Sequence, residues 1–360
     1  MSKIHYSIIA VVTNDLNSDQ RMHRICTTYS DQGKNVLLLG HKKRDSLELI
    51  PRSYKQKRIR TLIQKGPIFY FEYNFRLFLI ILFQKVDRYY SVDLDTLLAV
   101  GTAHLINGKP YIFDAHEYFA ELPELDGKII KKWLWTLVGQ LFIPKAERRI
   151  TIGSYLAEEL QTKYNQAFDV VYNLPISKEP IENKKIGKKV LLYQGKVNKE
   201  RGISELIIAM ESLPKCELWI IGDGDIILEM KVLATKSRVG HRIKMMGWIS
   251  PLDLHKYTCQ AFLGLNILGT TNANYHLSAA NKVYDYIMAG VPVLTMDFPE
   301  YKKLNKTFDI GYLISKISPK HLAKVISEII DNEKIYNQKV SNCKNARNIL
   351  HWEIEQRKFN

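Results

Sequence analysis

Apolar and polar positions along this chain change in blocks rather than residue by residue. An apolar run over 6–12 gives way to a polar loop, 13–19, then to a helical pattern that starts near Gln20 and is closed by Gly33, and then to a second apolar run over 36–39. Short continuous apolar runs separated by a helix suit a parallel sheet buried on both faces, so this order predicts the start of an α/β unit. The pattern begins again at Lys188, with strands over 190–193, 217–221, 243–246 and 262–267 and helices over 203–213 and 226–235. Two α/β units in tandem are expected, over 1–175 and 188–345. The polar segment 176–189, with Pro175 and Pro180, is the expected linker. Ligand should bind in a cleft between two such domains.

The block 279–300, AANKVYDYIMAGVPVLTMDFPE, reads as a helix carrying one acid, a Gly-x-Pro stop and a strand leading into an acidic loop. Ser278 is the expected N-cap, and Gly290 and Pro292 end the helix. An anion suits such a helix start, where Asn281 and Lys282 sit, and Asp285 further along can bind a sugar hydroxyl. The segment 195–202, GKVNKERG, follows the first strand of the second unit. Gly195, Lys196 and Arg201 there fit either a diphosphate cradle or a solvated basic turn. Gly222 and Gly224 end the next strand, and Trp248 follows the one after; these positions suit pocket walls rather than chemistry.

In the first unit, 111–121 (YIFDAHEYFAE) is a strand running into a charged loop where Asp114, His116 and Glu117 cluster, which favours a functional His116 over a purely structural one, with Asp114 and Glu117 expected on the acceptor side. Asp93 and Asp95 have the spacing of a metal-binding acid pair. Their place outside the unit that carries the phosphate-binding loop makes an acceptor-side or structural role the better expectation, with no metal site.

A length of 360 residues suits two domains of ordinary globular composition. Net charge +15 and a pI near 9.4 call for an anionic partner: nucleic acid, a phosphorylated substrate or an anionic membrane. Cys26, Cys216, Cys259 and Cys343 are too scattered for a disulfide framework or zinc site, which fits a reducing cytosol. The run 6–12 reads as a strand rather than a signal peptide, and 77–83 is far too short to span a bilayer. Residues 41–60 are strongly basic and 68–83 dense in aromatics and leucine. The latter is either a core helix or, with the former, a membrane-facing patch.

Lys282, Val283, Tyr284, Asp285, Gly290, Pro292 and Val293 resemble the donor-site block of family 4 (group 1) glycosyltransferases of the GT-B fold, two Rossmann-like α/β domains facing a central cleft. The resemblance implies that Asp285 holds a ribose and that Lys196 and Arg201 hold the donor pyrophosphate, with Lys and Arg exchanged relative to the family. It places Gly222, Gly224 and Trp248 around the base, His116 at the transferred sugar, and residues 346–360 as a helix crossing back onto the first domain. It implies a retaining, metal-independent transferase without cofactor, of the bacterial surface-polysaccharide type. Such an enzyme moves a sugar from a nucleotide sugar to a glycan or lipid-linked acceptor, at the inner face of the cytoplasmic membrane. Two departures stand out: Leu277 occupies the place of a second acid, with nothing acidic between Leu268 and Asp285, and the loop 13–19 lacks a glycine pair. A GT-B epimerase and, from another class, a basic nucleic-acid-binding protein are the alternatives; the latter lacks a recognisable binding module.

Overall fold

The computed structural model describes residues 4–179, 181 and 188–359. The chain divides into two compact units, Met1–Tyr172 with Gln356–Asn360, and Asn173–Glu355. Pro180 and residues 182–187 of the expected linker lie outside the described residues.

The first unit has seven strands, β1 (His5–Val11), β2 (Val36–Lys42), β3 (Lys55–Arg60), β4 (Lys85–Val92), β5 (Tyr111–Ala115), β6 (Arg148–Thr151) and β7 (Asp169–Val170). They form one parallel sheet in the order β3-β2-β1-β4-β5-β6-β7. Its helices are α1 (Gln20–Asp31), α2 (Pro67–Leu82), α3 (Asp93–Asn107), α4 (Ile129–Phe142) and α5 (Ser154–Tyr164). Asp19 caps α1 by accepting from the Met22 amide. Every residue of β5 and most of β1 is buried, as strands covered on both faces must be.

The second unit repeats the plan with β8 (Lys189–Gln194), β9 (Cys216–Ile221), β10 (Ile243–Gly247), β11 (Leu263–Asn266), β12 (Val293–Met296) and β13 (Gly311–Ile314). Their order is β10-β9-β8-β11-β12-β13, again parallel. The helices are α6 (Ile203–Ala209), α7 (Ile227–Lys236), α8 (Pro251–Thr258), α9 (Ala273–His276), α10 (Asn281–Met288), α11 (Pro299–Phe308), α12 (Pro319–Asp331), α13 (Glu333–Ala346) and α14 (Trp352–Glu355).

In each sheet the chain runs outward to one edge and then restarts beside its first strand. The order reverses between β1 and β4 in the first unit and between β8 and β11 in the second. The crevice beyond the carboxyl ends of strands at such a reversal is where open α/β sheets bind ligand. Helix α10 is clamped over the second reversal. The Tyr286 hydroxyl donates to Leu192 O (3.0 Å) and accepts from the Gln194 amide (3.2 Å), while its ring fills the space where a Cβ on Gly264 would sit.

Two expectations change. Residues 346–360 are not one helix, because α13 ends at Ala346 and the chain resumes as α14 and a 3₁₀ turn, Gln356–Phe359. That turn packs within the first unit: Gln356 accepts from Thr28 Oγ1 (3.0 Å), Lys358 Nζ donates to Val170 O (2.8 Å), and Phe359 meets Tyr29 edge-on. The aromatic segment after residue 67 is α2, and it is neither purely core nor purely surface. Phe69, Tyr73, Leu77 and Ile81 are buried, whereas Phe71, Phe75 and Leu79 are exposed. Among the described residues no helix is long and apolar enough to cross a membrane.

Candidate active site

The second unit brings three separate stretches of sequence to its strand reversal. Strand β8 is followed by Gly195 at φ +127°, and β9 by Gly222 at φ +144°, both in backbone territory open to glycine. Their main chains lie against each other: a Cβ on Gly222 would stand 1.8 Å from Gly195 O. Gly224 is held as tightly, with a Cβ there meeting Asn198 Oδ1 at 2.4 Å. These glycines fix how closely the loops approach, which is what a backbone cradle needs.

Over this cradle lies the Lys282 side chain. The residue is 8% exposed, its ammonium sits 3.9 Å from the Tyr193 ring centroid, and it would stand 3.3 Å from a Cβ on Gly195. The ammonium has no hydrogen-bond partner. Burial, and then the Arg201 charge, push its pKa well below the usual lysine value. The Arg201 guanidinium stacks 4.7 Å over Tyr275, and its Nε is likewise buried without a partner. The buried Lys282 and the half-buried Arg201 face one space and repel each other, and an anion entering that space relieves both desolvation and repulsion.

Asp285 lies three residues beyond Lys282 on α10. Its Oδ2 accepts from Gln194 Nε2 (3.0 Å), and Gln194 Oε1 accepts in turn from Thr258 Oγ1 (2.9 Å). The carboxylate is thereby held at the end of β8. Asn281 Oδ1 accepts from Asn173 Nδ2 (2.8 Å).

Several expectations are corrected here. Ser278 is not the N-cap of α10: Ala280 holds that position without a side-chain bond, and the Ser278 hydroxyl donates to Tyr275 O (2.8 Å) beside Tyr301 OH (2.9 Å). Lys196 is exposed, so the cation buried beside Arg201 is Lys282 rather than Lys196. Trp248 is 65% exposed after β10, at the rim. Sequence reasoning missed Gln194, Thr258, Tyr193 and Tyr275; none stands in a pattern that separates it from core or loop residues. It also missed what approaches the acid-poor stretch before Asp285. Glu200, at a strained φ of +59°, accepts at its carbonyl from the Gly269 amide (2.7 Å), and a Cβ on Gly269 would meet its carboxylate at 2.8 Å.

The first unit also gathers its polar groups at its reversal, between the loops after β1 and β4. Asp93, at φ +53°, turns β4 into α3, and its Oδ1 accepts from the His116 amide (2.8 Å). Asp95 accepts from Thr13 Oγ1, while Asn74 Nδ2 donates to the Asp95 carbonyl (2.7 Å). Burial keeps both acids from ionising readily, holding Asp93 well above the usual carboxylate range and Asp95 up to about 7.

Asp114 is fully buried and cannot touch an acceptor, contrary to its expected acceptor-side role. Arg21 donates to both of its oxygens (3.0 and 2.9 Å), and Tyr90 OH (2.7 Å) and His116 Nε2 (3.1 Å) donate to Oδ2. Burial opposes ionisation of Asp114, yet the charges and hydrogen bonds of Arg21 and His116 together outweigh it and hold the carboxyl below its usual range. His116 is balanced the same way: burial opposes protonation, but Asp114 raises its pKa. Asp114 thus orients His116 and favours its protonated form, and Glu117 beside it stays exposed.

Residues 177–347 match the family described as Glycosyl transferases group 1. Solved structures share the fold at low identity. Alr3699/HepE of Anabaena, in complex with UDP and glucose, has TM-score 0.75 and 14% identity over 99% of this chain and 98% of its own. Sucrose-phosphate synthase of Thermosynechococcus elongatus has TM-score 0.80 and 13% identity over 98% and 96%. WaaG, a glycosyltransferase involved in lipopolysaccharide biosynthesis, has TM-score 0.71 and 15% identity over 98% of both chains. No curated protein sequence matches significantly. The family match lies on the unit that holds the buried Lys282 beside Arg201, and the GT-B fold runs through the whole chain, so this protein is a glycosyltransferase whose second unit matches the group 1 family.

Proposed function

We propose that this enzyme is a family 4 retaining, metal-independent glycosyltransferase. It takes a sugar from a nucleotide-sugar donor and passes it to a glycan or lipid-linked acceptor in cell-surface polysaccharide biosynthesis. The observation that carries the donor reading is the unpartnered Lys282 ammonium, buried beside Arg201 over the Gly195–Gly222 backbone contact. A diphosphate supplies the anion these cations lack. HepE is solved with UDP and with UDP-glucose, which supports a nucleotide diphosphate sugar here. Asp285, fixed by Gln194, is assigned to the ribose hydroxyls, Gly222, Gly224 and Trp248 to the base, and Lys196 to the rim.

In the transfer, the bond from the sugar's anomeric carbon to the diphosphate oxygen breaks as the acceptor hydroxyl forms its bond on the same face. The acceptor proton passes to the departing phosphate. Negative charge grows on that phosphate, and Lys282 and Arg201 are already in place to meet it. His116, oriented by Asp114, offers the transferred sugar a polar partner, and Glu200 lends a carboxylate near the stretch where Leu277 leaves none. The family match does not favour the epimerase or the nucleic-acid-binding alternative. A lipid-linked acceptor would bring the enzyme to the inner face of the cytoplasmic membrane, a setting supported by net charge +15.

Transfer from a nucleotide sugar to membrane extract, followed by isotope label, tests this reading. Activity should survive a chelator, because the diphosphate charge is met by side chains. Asp93 and Asp95 are engaged by the His116 amide and Thr13. Activity abolished by chelator and restored by manganese would return those two acids to the role of metal ligands. Asp285→Ala should weaken nucleoside diphosphate binding in calorimetry by about tenfold, the scale of one hydrogen bond involving a charged group. An unchanged affinity would make Asp285 structural.

A further inference from the structure

Helix α2 is apolar on two opposite faces. Phe71, Phe75 and Leu79 recur at the four-residue spacing of the buried stripe but offset by half a turn, and Phe71 is 70% exposed. Helix α4 carries a second exposed stripe of Ile130, Trp133, Leu134 and Leu141, and of its residues only Gly139 and Phe142 are buried. Both helices pack on α3, and the rings of Tyr70 in α2 and Trp135 in α4 meet edge-on at 5.2 Å, so the two helices are neighbours. So many exposed large apolar side chains on two neighbouring helices are uncommon on a protein that works alone in water.

Charge identifies what covers them. In α4 and its preceding residue, Lys128, Lys131 and Lys132 interleave with Ile129, Ile130 and Trp133; Lys132 reaches Glu121 at 2.7 Å. Beside α2, the edge strand β3 exposes Lys55, Lys57 and Arg60, and the loop before it exposes Lys43 and Arg44. The core of a protein interface is depleted in lysine, whereas lysine stems around exposed tryptophan and isoleucine suit a lipid interface.

We propose that α2 and α4 together form a docking face for an anionic lipid bilayer. Trp133, Ile130, Phe71 and Phe75 enter the boundary between headgroups and acyl chains, and the neighbouring lysines lie over the phosphates. The proposal deepens the lipid-surface reading of the acceptor and leaves the donor site untouched. Co-sedimentation of the full chain with phosphatidylglycerol vesicles and with neutral phosphatidylcholine vesicles, at low and high salt, tests it. The parent should bind the anionic vesicles at low salt, less at high salt, and Trp133→Ser/Phe75→Ser should bind them at least about tenfold more weakly. Nucleoside diphosphate affinity measured on the same samples should be equal in parent and variant, which separates this face from the donor site and shows that the variant is folded. Phe75→Ser alone serves if the double variant does not fold. Equal vesicle binding by parent and variant, or none by the parent, overturns the proposal. So does a dimer that the substitutions abolish without any vesicle binding, which would assign the face to a second copy of the chain.

Discussion

Lys282→Met and Arg201→Ala should each lower turnover by on the order of 10² to 10³, the usual cost of removing one preorganised charge from the place where transition-state charge develops. Catalytic loss from Lys282→Met should come without loss of stability. In the unliganded protein Lys282 is a buried ammonium with no hydrogen-bond partner, depressed in pKa by burial and by Arg201. Replacing it with an apolar side chain of similar length removes a desolvated, repelled charge, so the melting temperature should hold or rise while activity falls. Arg201→Lys should recover only part of the loss, because an ammonium cannot reproduce the planar fork stacked over Tyr275. Steady-state kinetics and thermal unfolding on the same preparations decide the matter. Parent-like turnover in either variant would remove these residues from the leaving-group site, and a large stability loss in Lys282→Met would mark that lysine as structural.

Arg21→Met should destabilise the first unit by about 3–5 kcal/mol, the range for removing one partner of a buried ion pair. Arg21 is 2% exposed and Asp114 fully buried, so the carboxylate would be left with Tyr90 and His116 against the full cost of its desolvation. His116 would lose its fixed orientation as well. The effect has a sign in pH. Asp114 titrates below its unfolded value because of Arg21 and His116, so the pair's contribution is present above the ordinary carboxylate range and fades as pH falls through the folded pKa. Denaturant unfolding of parent and variant near pH 7 measures the difference, and a change below about 1 kcal/mol would mean that the pair is not the buried unit described.

The α/β architecture was legible because its signal is local. Apolar runs such as 6–12 and 190–193 reach the length of a buried strand, and glycines at 195 and 222 stand where strands must turn. The polar chemistry was legible only as separate pieces. GKVNKERG and the Lys282–Asp285 helix were each visible, but that Gly195, not Lys196, lies against Lys282 follows from a contact across 87 residues. Ser278 has the chemistry of a cap, yet Tyr301, 23 residues away, engages its hydroxyl and the helix begins at Asn281. Asp114 reads as an exposed acid after a strand until Arg21, 93 residues earlier, is seen to neutralise it. Helix α4 was not predicted because its apolar residues surround the axis and leave no polar face to set a period.

Calorimetric titration of the parent and of Lys282→Met with nucleoside diphosphates, without metal, tests the donor site most directly. The parent should bind one nucleoside diphosphate and the variant should bind it far more weakly while remaining folded, because the ligand's phosphates replace the anion that the buried ammonium lacks. A folded parent that binds no nucleoside diphosphate, or a variant that binds it as tightly as the parent, would contradict the account.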